Sequence, residues 1–253
     1  MNKLVSIILL LLIISLNGNA QKHHQSKDVN QFFVRVEPKL FACKFETTNA
    51  DYQAFLQDII HRRPELQYTL ILDTAKWHNE KRANKKLRKK YFNSPKYAAF
   101  PVVNISYEQA NFYCNWLTQM YHLNPDRPFK KVVFRLPTKQ EWNRTVYGAS
   151  ATDSFPWAGT FKEKPKHLKI NNGRVKSPYL KKVNKKQYEQ GNILLYHALG
   201  NVSEMVSSKG DCVGGNFASH PYFFSKDSQN EFFPSYVPCP LVGFRVFMQI
   251  MIE

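Results

Sequence analysis

Cysteine is scarce in this chain, and its placement argues against the commonest cysteine-based metal sites. The 253 residues include four cysteines, which are Cys43, Cys114, Cys212 and Cys239. No two of them stand in a Cys-x-x-Cys arrangement, so a zinc site built from them is not expected. If both possible disulfides form, three pairings exist, and the sequence alone does not choose among them.

Long apolar runs are also missing. Residues 5–16 are almost entirely apolar, but this run is shorter than the roughly twenty residues that span a bilayer. Lys3 precedes the run, and small residues up to Ala20 follow it, as in a secretion signal. We expect residues 1–20 to be a cleaved signal peptide and residues 21–30 to be a flexible N-terminus, with no transmembrane segment left after cleavage.

Export has two consequences for the rest of the chain. An oxidising compartment permits disulfides. The first cysteine, Cys43, lies far beyond the expected cleavage point, so lipid anchoring through an N-terminal cysteine is not expected. The sequence therefore predicts an exported protein that is periplasmic, associated with the outer membrane, or extracellular.

Acidic residues are few. The chain has 19 Asp and Glu against 36 Lys and Arg, for a formal net charge of +17. The basic residues concentrate in segments 81–90 and 162–186. Such segments are typical of solvated surface, and they also suit contact with an acidic envelope protein or another anionic surface. Nucleic acid is a poor candidate partner for an exported chain.

The first helix is predicted to begin near residue 49. The Asn49 side chain is suited to accept a hydrogen bond from an unpaired backbone N–H of the first turn. Tyr52 and Phe55 follow at helical spacing, and Pro64 is expected to end the helix.

Two further helices carry a stronger signal. Ser106 with Gln109, and Thr138 with Glu141, have the spacing of a capping box, in which the two side chains bond to each other's backbone N–H. Gly148 is expected to close the later helix.

The remaining segments predict strands and irregular structure. Residues 31–45 alternate between polar and apolar side chains and predict an entry strand, and residues 243–251 predict a last strand. No internal repeat or independent linker interrupts the chain. We therefore expect a single domain over residues 31–253, with a basic insert at 61–100.

Seven motifs, taken in order, resemble the formylglycine-generating-enzyme (sulfatase-modifying-factor) domain family. The resemblance covers residues 40–250 and implies an α+β, C-type-lectin-like fold with much irregular structure, in which Trp142 and Trp157 belong to the core. The motifs are Glu-Thr-Thr-Asn at 46–49, Pro-Val-Val at 101–103 with the helix that follows, Arg-Leu-Pro-Thr at 135–138 with Glu-Trp at 141–142, Phe-Pro-Trp at 155–157, Gly-Asn-Val-Ser-Glu at 200–204, Gly-Gly at 214–215, and Gly-Phe-Arg at 243–245.

The resemblance also implies what this chain does not do. Catalytic members of the family carry two cysteines just after the Gly-Gly motif, which ligate copper and convert a sulfatase cysteine to formylglycine. Ser219 and Phe224 stand at those two positions here. A soft Cu(I) ion prefers sulfur ligands, so we expect no catalytic residues for this reaction.

A structural calcium ion is the one cofactor that the resemblance suggests. In the family it is held by the Gly-Asn-x-x-Glu loop, through backbone carbonyls and the Glu carboxylate. The matching residues are Gly200, Asn201, Val202 and Glu204. The alternative is that Glu204 makes only hydrogen bonds or a salt bridge inside the domain.

A ligand or partner groove is the third expectation, at the place of the family's substrate groove. Aromatic and basic side chains there suit a glycan or an extended peptide. The alternative is that the aromatic residues fill the space of the lost active site. The candidate residues are Phe217, Ser219, His220, Tyr222 and Phe224, with Arg245 beneath.

The finer wording of the motifs resembles one branch of the family, the lipoproteins of bacterial gliding motility and type IX secretion. We therefore expect an exported, non-catalytic binding or scaffold component of the bacterial cell envelope. The alternatives are a secreted oxidoreductase of the same superfamily with altered chemistry, and a lectin-like glycan or peptidoglycan binder.

Overall fold

A computed structural model gives the fold. The residues that it describes are 31–72, 90–148, 154–156, 162, 164, 170, 180–183, 188–190, 193–226, 228 and 238–253. Trp157, most of the basic segment 162–186 and residues 73–89 of the basic insert lie outside this set.

A four-stranded antiparallel sheet forms the base of the domain. Its strands are β1 (Phe33–Glu37), β2 (Leu40–Cys43), β3 (Lys131–Arg135) and β9 (Phe247–Ile252), in the order β1-β2-β9-β3. The entry strand predicted over 31–45 is therefore wrong in its length, because the chain reverses after Glu37 and makes a hairpin. The guanidinium of Arg35 donates to the carbonyl of Pro38 at 3.1 Å and so holds the reversal.

Helix α1 (Asn49–Arg62) follows the hairpin. Its N-cap is Thr48 rather than the predicted Asn49. The Thr48 hydroxyl accepts from the Asp51 N–H at 3.1 Å, and the Asp51 carboxylate accepts from the Thr48 N–H at 3.0 Å. A complete capping box therefore sets the boundary, and the side-chain amide of Asn49 instead donates to the carbonyls of Tyr91 and Tyr97.

The other two predicted helix starts are confirmed. Helix α3 (Tyr107–Leu123) has Ser106 and Gln109 as its capping box. Helix α4 (Lys139–Tyr147) has Thr138 and Glu141, and it ends at Gly148 with φ 90°. The short α2 (Gln67–Leu70) lies between α1 and α3, and single 3₁₀ turns cover Pro64–Leu66, Pro95–Tyr97 and Pro221–Phe224.

Aromatic side chains join α1 and α3 to the C-terminal part of the chain. Phe55 lies with its ring centroid 5.1 Å from Tyr52, 5.5 Å from Tyr113 and 5.4 Å from Trp116. Tyr113 in turn contacts Phe244 at 5.4 Å. Each such pair contributes about 0.5–1.5 kcal/mol beyond the apolar area that it buries.

A smaller three-stranded sheet carries the C-terminal motifs. Strand β6 (Ser203–Met205) lies in its centre, antiparallel to β7 (Cys212–Val213) and parallel to β8 (Val242–Gly243). The last strand predicted over 243–251 is therefore divided between β8 and β9. A separate hairpin pairs β4 (Tyr188–Gln190) with β5 (Ile193–Leu195).

Within the described part of the chain, every helix is too short or too polar to cross a lipid bilayer.

Candidate functional site

The Gly-Gly motif is a tight turn that the surrounding side chains require. Gly214 and Gly215 have φ values of +84° and +64°, which favour glycine. A Cβ at Gly214 would lie 2.5 Å from the carbonyl oxygen of Ala198 and 3.0 Å from the Trp142 ring. A Cβ at Gly215 would lie 2.7 Å from the Phe224 ring. The two glycines therefore let one aromatic ring pack on each side of the turn.

Phe224 belongs to the core and not to a groove. Its side chain is fully buried, with a relative exposure of 0%. Its carbonyl accepts a hydrogen bond from the Tyr147 hydroxyl at 3.0 Å, which ties the 3₁₀ turn to α4. The prediction that Phe224 lines a groove is wrong, because the ring occupies the space that the Gly-Gly turn leaves open.

Phe217 and Arg245 correct the predicted groove in the same way. Phe217 is buried in a cluster with Tyr91, Val202 and Leu241, and Arg245 has no exposed surface. These two side chains face the interior, where a soluble ligand has no access. The alternative stated from the sequence, in which the aromatic residues fill the space of an active site, describes Phe217 and Phe224.

The three other predicted groove residues share one surface turn. Ser219 is half-buried, His220 is exposed, and Tyr222 has 58% of its surface exposed. We call residues 218–223 the exposed turn.

Asn216 positions the exposed turn from below. The backbone N–H of Asn216 donates to the Ser219 hydroxyl at 2.9 Å, and its side-chain oxygen accepts from the Ala218 N–H at 2.9 Å. Its side-chain amide donates to the buried hydroxyl of Ser203 at 3.1 Å. The turn is therefore fixed to strand β6 by a buried side chain.

A buried ion pair lies in the protein interior beneath these elements. The guanidinium of Arg245 contacts the Glu204 carboxylate through Nε at 3.0 Å and Nη2 at 2.7 Å, and both side chains are fully buried. The Trp142 indole also donates to Glu204 at 2.7 Å. Arg245 also donates through Nη1 to the carbonyl of Cys43 at 2.9 Å and through Nη2 to the carbonyl of Tyr196 at 2.7 Å.

Glu46 joins this interior group and was not found from the sequence. Its Oε2 accepts from the Asn201 amide at 2.7 Å, while its Oε1 makes no hydrogen bond with the described residues. Burial raises the pKa of Glu46 well above its usual range, and the nearby Glu204 carboxylate raises it further. No local pattern indicated this role, because Glu46 stands two residues before the helix cap and outside the capping box.

His197 is a second buried group that the sequence did not single out. It has φ 54° and no exposed surface, and its Nε2 lies 3.1 Å from the carbonyl oxygen of Lys182. Burial lowers the pKa of His197 to about 3, so its ring is neutral at physiological pH.

A shallow cavity of about 660 Å³ lies along the outer face of α1. None of the predicted site residues lines it. The lining residues are Gln53, Leu56, Gln57, Ile60, His61 and Asn93.

Comparison with known proteins identifies the family of the domain. The sulfatase-modifying factor enzyme 1-like domain family matches residues 13–250. The chain belongs to this family.

Two solved structures agree with that assignment at the level of the fold. Treponema denticola variable protein 1 is 17% identical, with 83% of this chain and 84% of that chain covered and a TM-score of 0.53. CarF is 20% identical, with 83% and 86% covered and a TM-score of 0.55. A search of curated protein sequences found no significant match.

The structure describes both residues that the resemblance matches to the copper-binding cysteines of the family, Ser219 and Phe224. Ser219 lies at the edge of the exposed turn, with its hydroxyl bound by the Asn216 N–H. Phe224 lies in the core against Gly215. A hydroxyl and a phenyl ring offer no thiolate to a copper ion, so these two positions do not fit the family's copper site.

Calcium does not fit Glu204 in this domain. Both oxygens of the carboxylate are bound by Arg245 and Trp142, and the guanidinium charge repels a second cation. Asn201 is also engaged, because its Oδ1 accepts from the Lys181 N–H at 2.8 Å and its backbone carbonyl accepts from the Phe217 N–H at 3.0 Å. The contacts of Glu204 are therefore those of the alternative given from the sequence, in which it makes a salt bridge and hydrogen bonds inside the domain.

Of the calcium ligands that the resemblance suggests, the backbone carbonyls of Gly200 and Val202 are the two that these contacts do not test. Among the described residues, no three His, Cys, Asp or Glu side chains come together as a metal site.

Proposed function

We propose that this chain is an exported, non-catalytic member of the family that binds a protein partner of the bacterial envelope through its exposed turn. The observation that carries the proposal is the position of Phe224. Its ring packs on Gly215 and is fully buried, and the resemblance matches this position to one copper-binding thiol of the catalytic members. This burial supports a non-catalytic role, in which the neighbouring exposed turn binds a partner.

The chemistry of the exposed turn supports a binding role. The Tyr222 and Phe223 rings lie 5.6 Å apart in an edge-to-face pair, and His220 precedes them at the surface. Tyr222 is exposed and Phe223 is half-buried. Aromatic side chains at the surface are enriched at protein interfaces, since they bury a large apolar area with few rotatable bonds.

Charge supports an acidic partner. The net charge of +17 attracts negatively charged surfaces over a distance that shortens as the salt concentration rises. The basic segments 81–90 and 162–186 are the main source of this charge. The resemblance to the gliding-motility and type IX secretion lipoproteins suggests that the partner belongs to such a machine.

The test is capture of partners from the native host after mild cross-linking, followed by mass spectrometry. We expect the tagged protein to recover envelope proteins, and the Tyr222→Ala variant to lose at least about tenfold of that recovery, as for an interface residue worth about 1.4 kcal/mol or more. Tyr68→Ala is the matched control. Tyr68 is also a surface tyrosine, with 90% of its surface exposed, but it lies in α2 and not in the exposed turn.

Two results would contradict this proposal. One is recovery of the same proteins by the wild type and by Tyr222→Ala, which places the interface elsewhere. The other is formylglycine formation in a cysteine-containing sulfatase peptide incubated with the copper-loaded protein, which restores the oxidoreductase alternative.

A glycan-binding function is the second candidate, and the exposed Tyr222 ring favours it. Aromatic rings stack on sugar faces, and this contact is less screened by salt than a contact between charges. Saturable binding of peptidoglycan fragments that persists at high salt and is lost in Tyr222→Ala would support it. Partner recovery that high salt abolishes would favour the envelope-protein proposal.

A further inference from the structure

Helix α3 covers the outer edge of strand β3. β3 is the last strand of the four-stranded sheet and pairs with β9 on its inner side. Alternate residues of an antiparallel strand direct their N–H groups to the neighbouring strand, and the residues between them direct theirs outward. On β3 the outward N–H groups are those of Val132 and Phe134, and both bind side chains of α3. Because an uncovered row of such donors can pair with another strand, these contacts close the edge.

The two acceptors are one helical turn apart. The Phe134 N–H donates to the Thr118 hydroxyl at 2.9 Å, and the Val132 N–H donates to Nε2 of His122 at 3.2 Å. Residues four apart are neighbours on one face of a helix, and the outward N–H groups of a strand are two residues apart. The helix and the strand therefore present donors and acceptors at matching positions, and we call the two bonds the edge clasp.

The two halves of the edge clasp differ in their response to pH. The Thr118 hydroxyl does not titrate, and it donates its own hydrogen to the carbonyl of Cys114 at 3.0 Å. His122 is different, because a backbone N–H can only donate, so Nε2 accepts and the proton of the neutral ring is on Nδ1. Protonation gives Nε2 a hydrogen of its own, which turns the acceptor into a donor that faces the Val132 N–H.

Positive charge surrounds the His122 ring. Arg127, in the loop after α3, donates through Nη1 to the His122 carbonyl at 3.3 Å, and Lys131 begins β3. The Tyr121 ring is 5.8 Å away, and Glu253 follows β9 at the same end of the sheet, where it is exposed. Burial lowers the pKa of His122, and the charges of Arg127 and Lys131 lower it further. The folded protein therefore favours the neutral ring that can accept.

We propose that His122 makes the edge clasp sensitive to acid, so that its neutral ring closes the outer edge of β3 and its protonated ring releases it. One proton is taken up at Nε2 and no covalent bond changes. The Thr118 bond persists, so the release is confined to the beginning of β3. The pairing with β9 is already irregular there, with a shift of register between Lys131 and Val132.

The direction of the effect follows from the lowered pKa. An unfolded histidine titrates near pH 6.5, as a rough reference value. Because the folded pKa of His122 is lower, the stability that the edge clasp contributes is complete above about pH 6.5 and is lost as the pH falls through the folded pKa. The clasp lies within the domain, so its behaviour does not depend on the proposed partner.

Amide hydrogen exchange of the purified protein, followed residue by residue by NMR, tests the proposal. The quantity compared is the ratio of the protection factor of Val132 to that of Phe134, which serves as the internal control. We expect this ratio to fall by about threefold to tenfold between about pH 7.5 and about pH 4.5, which is the effect of losing one hydrogen bond. A ratio that is the same at both pH values would overturn the proposal.

Two histidine variants separate the edge clasp from other titrations. In His122→Gln the side-chain amide oxygen can accept from the Val132 N–H without titrating. We therefore expect the ratio in this variant to be independent of pH. His61→Gln is the matched control, since His61 is an exposed histidine near the end of α1, and it is expected to keep the pH dependence of the wild type. A pH dependence that survives in His122→Gln would assign the effect to another group.

The His122 ring itself gives a readout that needs no variant. Nitrogen-15 chemical shifts distinguish a ring nitrogen that carries a proton from one that does not. At neutral pH we expect the proton on Nδ1 and a bare Nε2, because the bond made by one ring nitrogen sets the tautomer. On acidification both nitrogens should become protonated over the same pH range in which Val132 loses protection. A neutral ring with its proton on Nε2 could not accept from Val132 and would contradict the proposal.

Discussion

At the scale of single residues, the two buried carboxyl groups Glu204 and Glu46 have opposite roles. Glu204 forms a fully buried ion pair with Arg245, with Nη2 and Oε1 2.7 Å apart. Glu204→Gln leaves that guanidinium buried without its counter-charge, so we expect the free energy of unfolding to fall by about 3–5 kcal/mol. Glu46→Gln replaces a carboxyl whose burial favours the neutral form, and we expect a change within about 1 kcal/mol at pH 5.

The same pair predicts a dependence on pH. The pKa of Glu46 is raised in the folded protein above the value of about 4.3 that a glutamate has when unfolded. The stability that this group contributes is therefore complete below about pH 4.3 and is lost as the pH rises through the folded pKa. We expect Glu46→Gln to gain stability relative to the wild type between pH 5 and pH 8.

Urea denaturation of both variants at pH 5 and pH 8 measures these effects. Equal losses for Glu204→Gln and Glu46→Gln at pH 5 would show that the two carboxyl groups share the charge of Arg245. A constant difference between Glu46→Gln and the wild type at both pH values would show that Glu46 does not titrate on unfolding in this window.

Residues also show where prediction from sequence stops. Gln109 and Glu141 could be assigned because their partners, Ser106 and Thr138, are three residues away and the capping geometry is local. The burial of Arg245 could not be assigned, because it depends on Glu204, which is 41 residues earlier in the chain. Contacts across such separations leave no periodic signal.

At the scale of elements, the Gly-Gly turn connects β7 to the exposed turn and depends on close backbone packing. We expect Gly214→Ala to lower the free energy of unfolding by more than about 2 kcal/mol, because it combines an unfavourable φ with a Cβ placed 2.5 Å from the carbonyl oxygen of Ala198. Chemical denaturation measures the loss. Gly148→Ala is the control for the backbone conformation, since Gly148 has φ 90° at the end of α4.

The comparison of these two variants isolates the contact with Ala198 and Trp142. A loss in Gly214→Ala no larger than that in Gly148→Ala would mean that the turn adjusts to the extra carbon, and the dense packing around the motif would then be less important than its φ.

Strand pairing explains the errors in the two predicted strands. Local composition indicated that an element existed at 31–45 and at 243–251, but the hairpin and the division into β8 and β9 follow from which strand each segment pairs with.

At the scale of the whole molecule, the domain retains the family's fold while its charge distribution disfavours cations. The net charge is +17, and the Gly-Asn-Val-Ser-Glu loop has its one carboxylate neutralised by Arg245. A calcium site needs several oxygen ligands with net negative charge, and here the neighbouring acid, Glu46, is held towards its neutral form. Arg245 therefore occupies the carboxylate of Glu204 that the resemblance assigns to a calcium ion.

This arrangement predicts that the melting temperature is the same, within about 1 °C, in excess calcium and in excess EDTA. A ligand present at one hundred times its dissociation constant adds about 2.7 kcal/mol to stability, which corresponds to about 5–10 °C for a domain of this size. Differential scanning calorimetry at fixed ionic strength makes the comparison, with magnesium as the control for non-specific divalent effects. A rise of several degrees in calcium alone would show that the carbonyl oxygens of Gly200 and Val202 bind the ion without Glu204. If that rise disappeared in Glu204→Gln, the carboxylate would have to exchange Arg245 for calcium, and the ion pair would be one of two states of the loop.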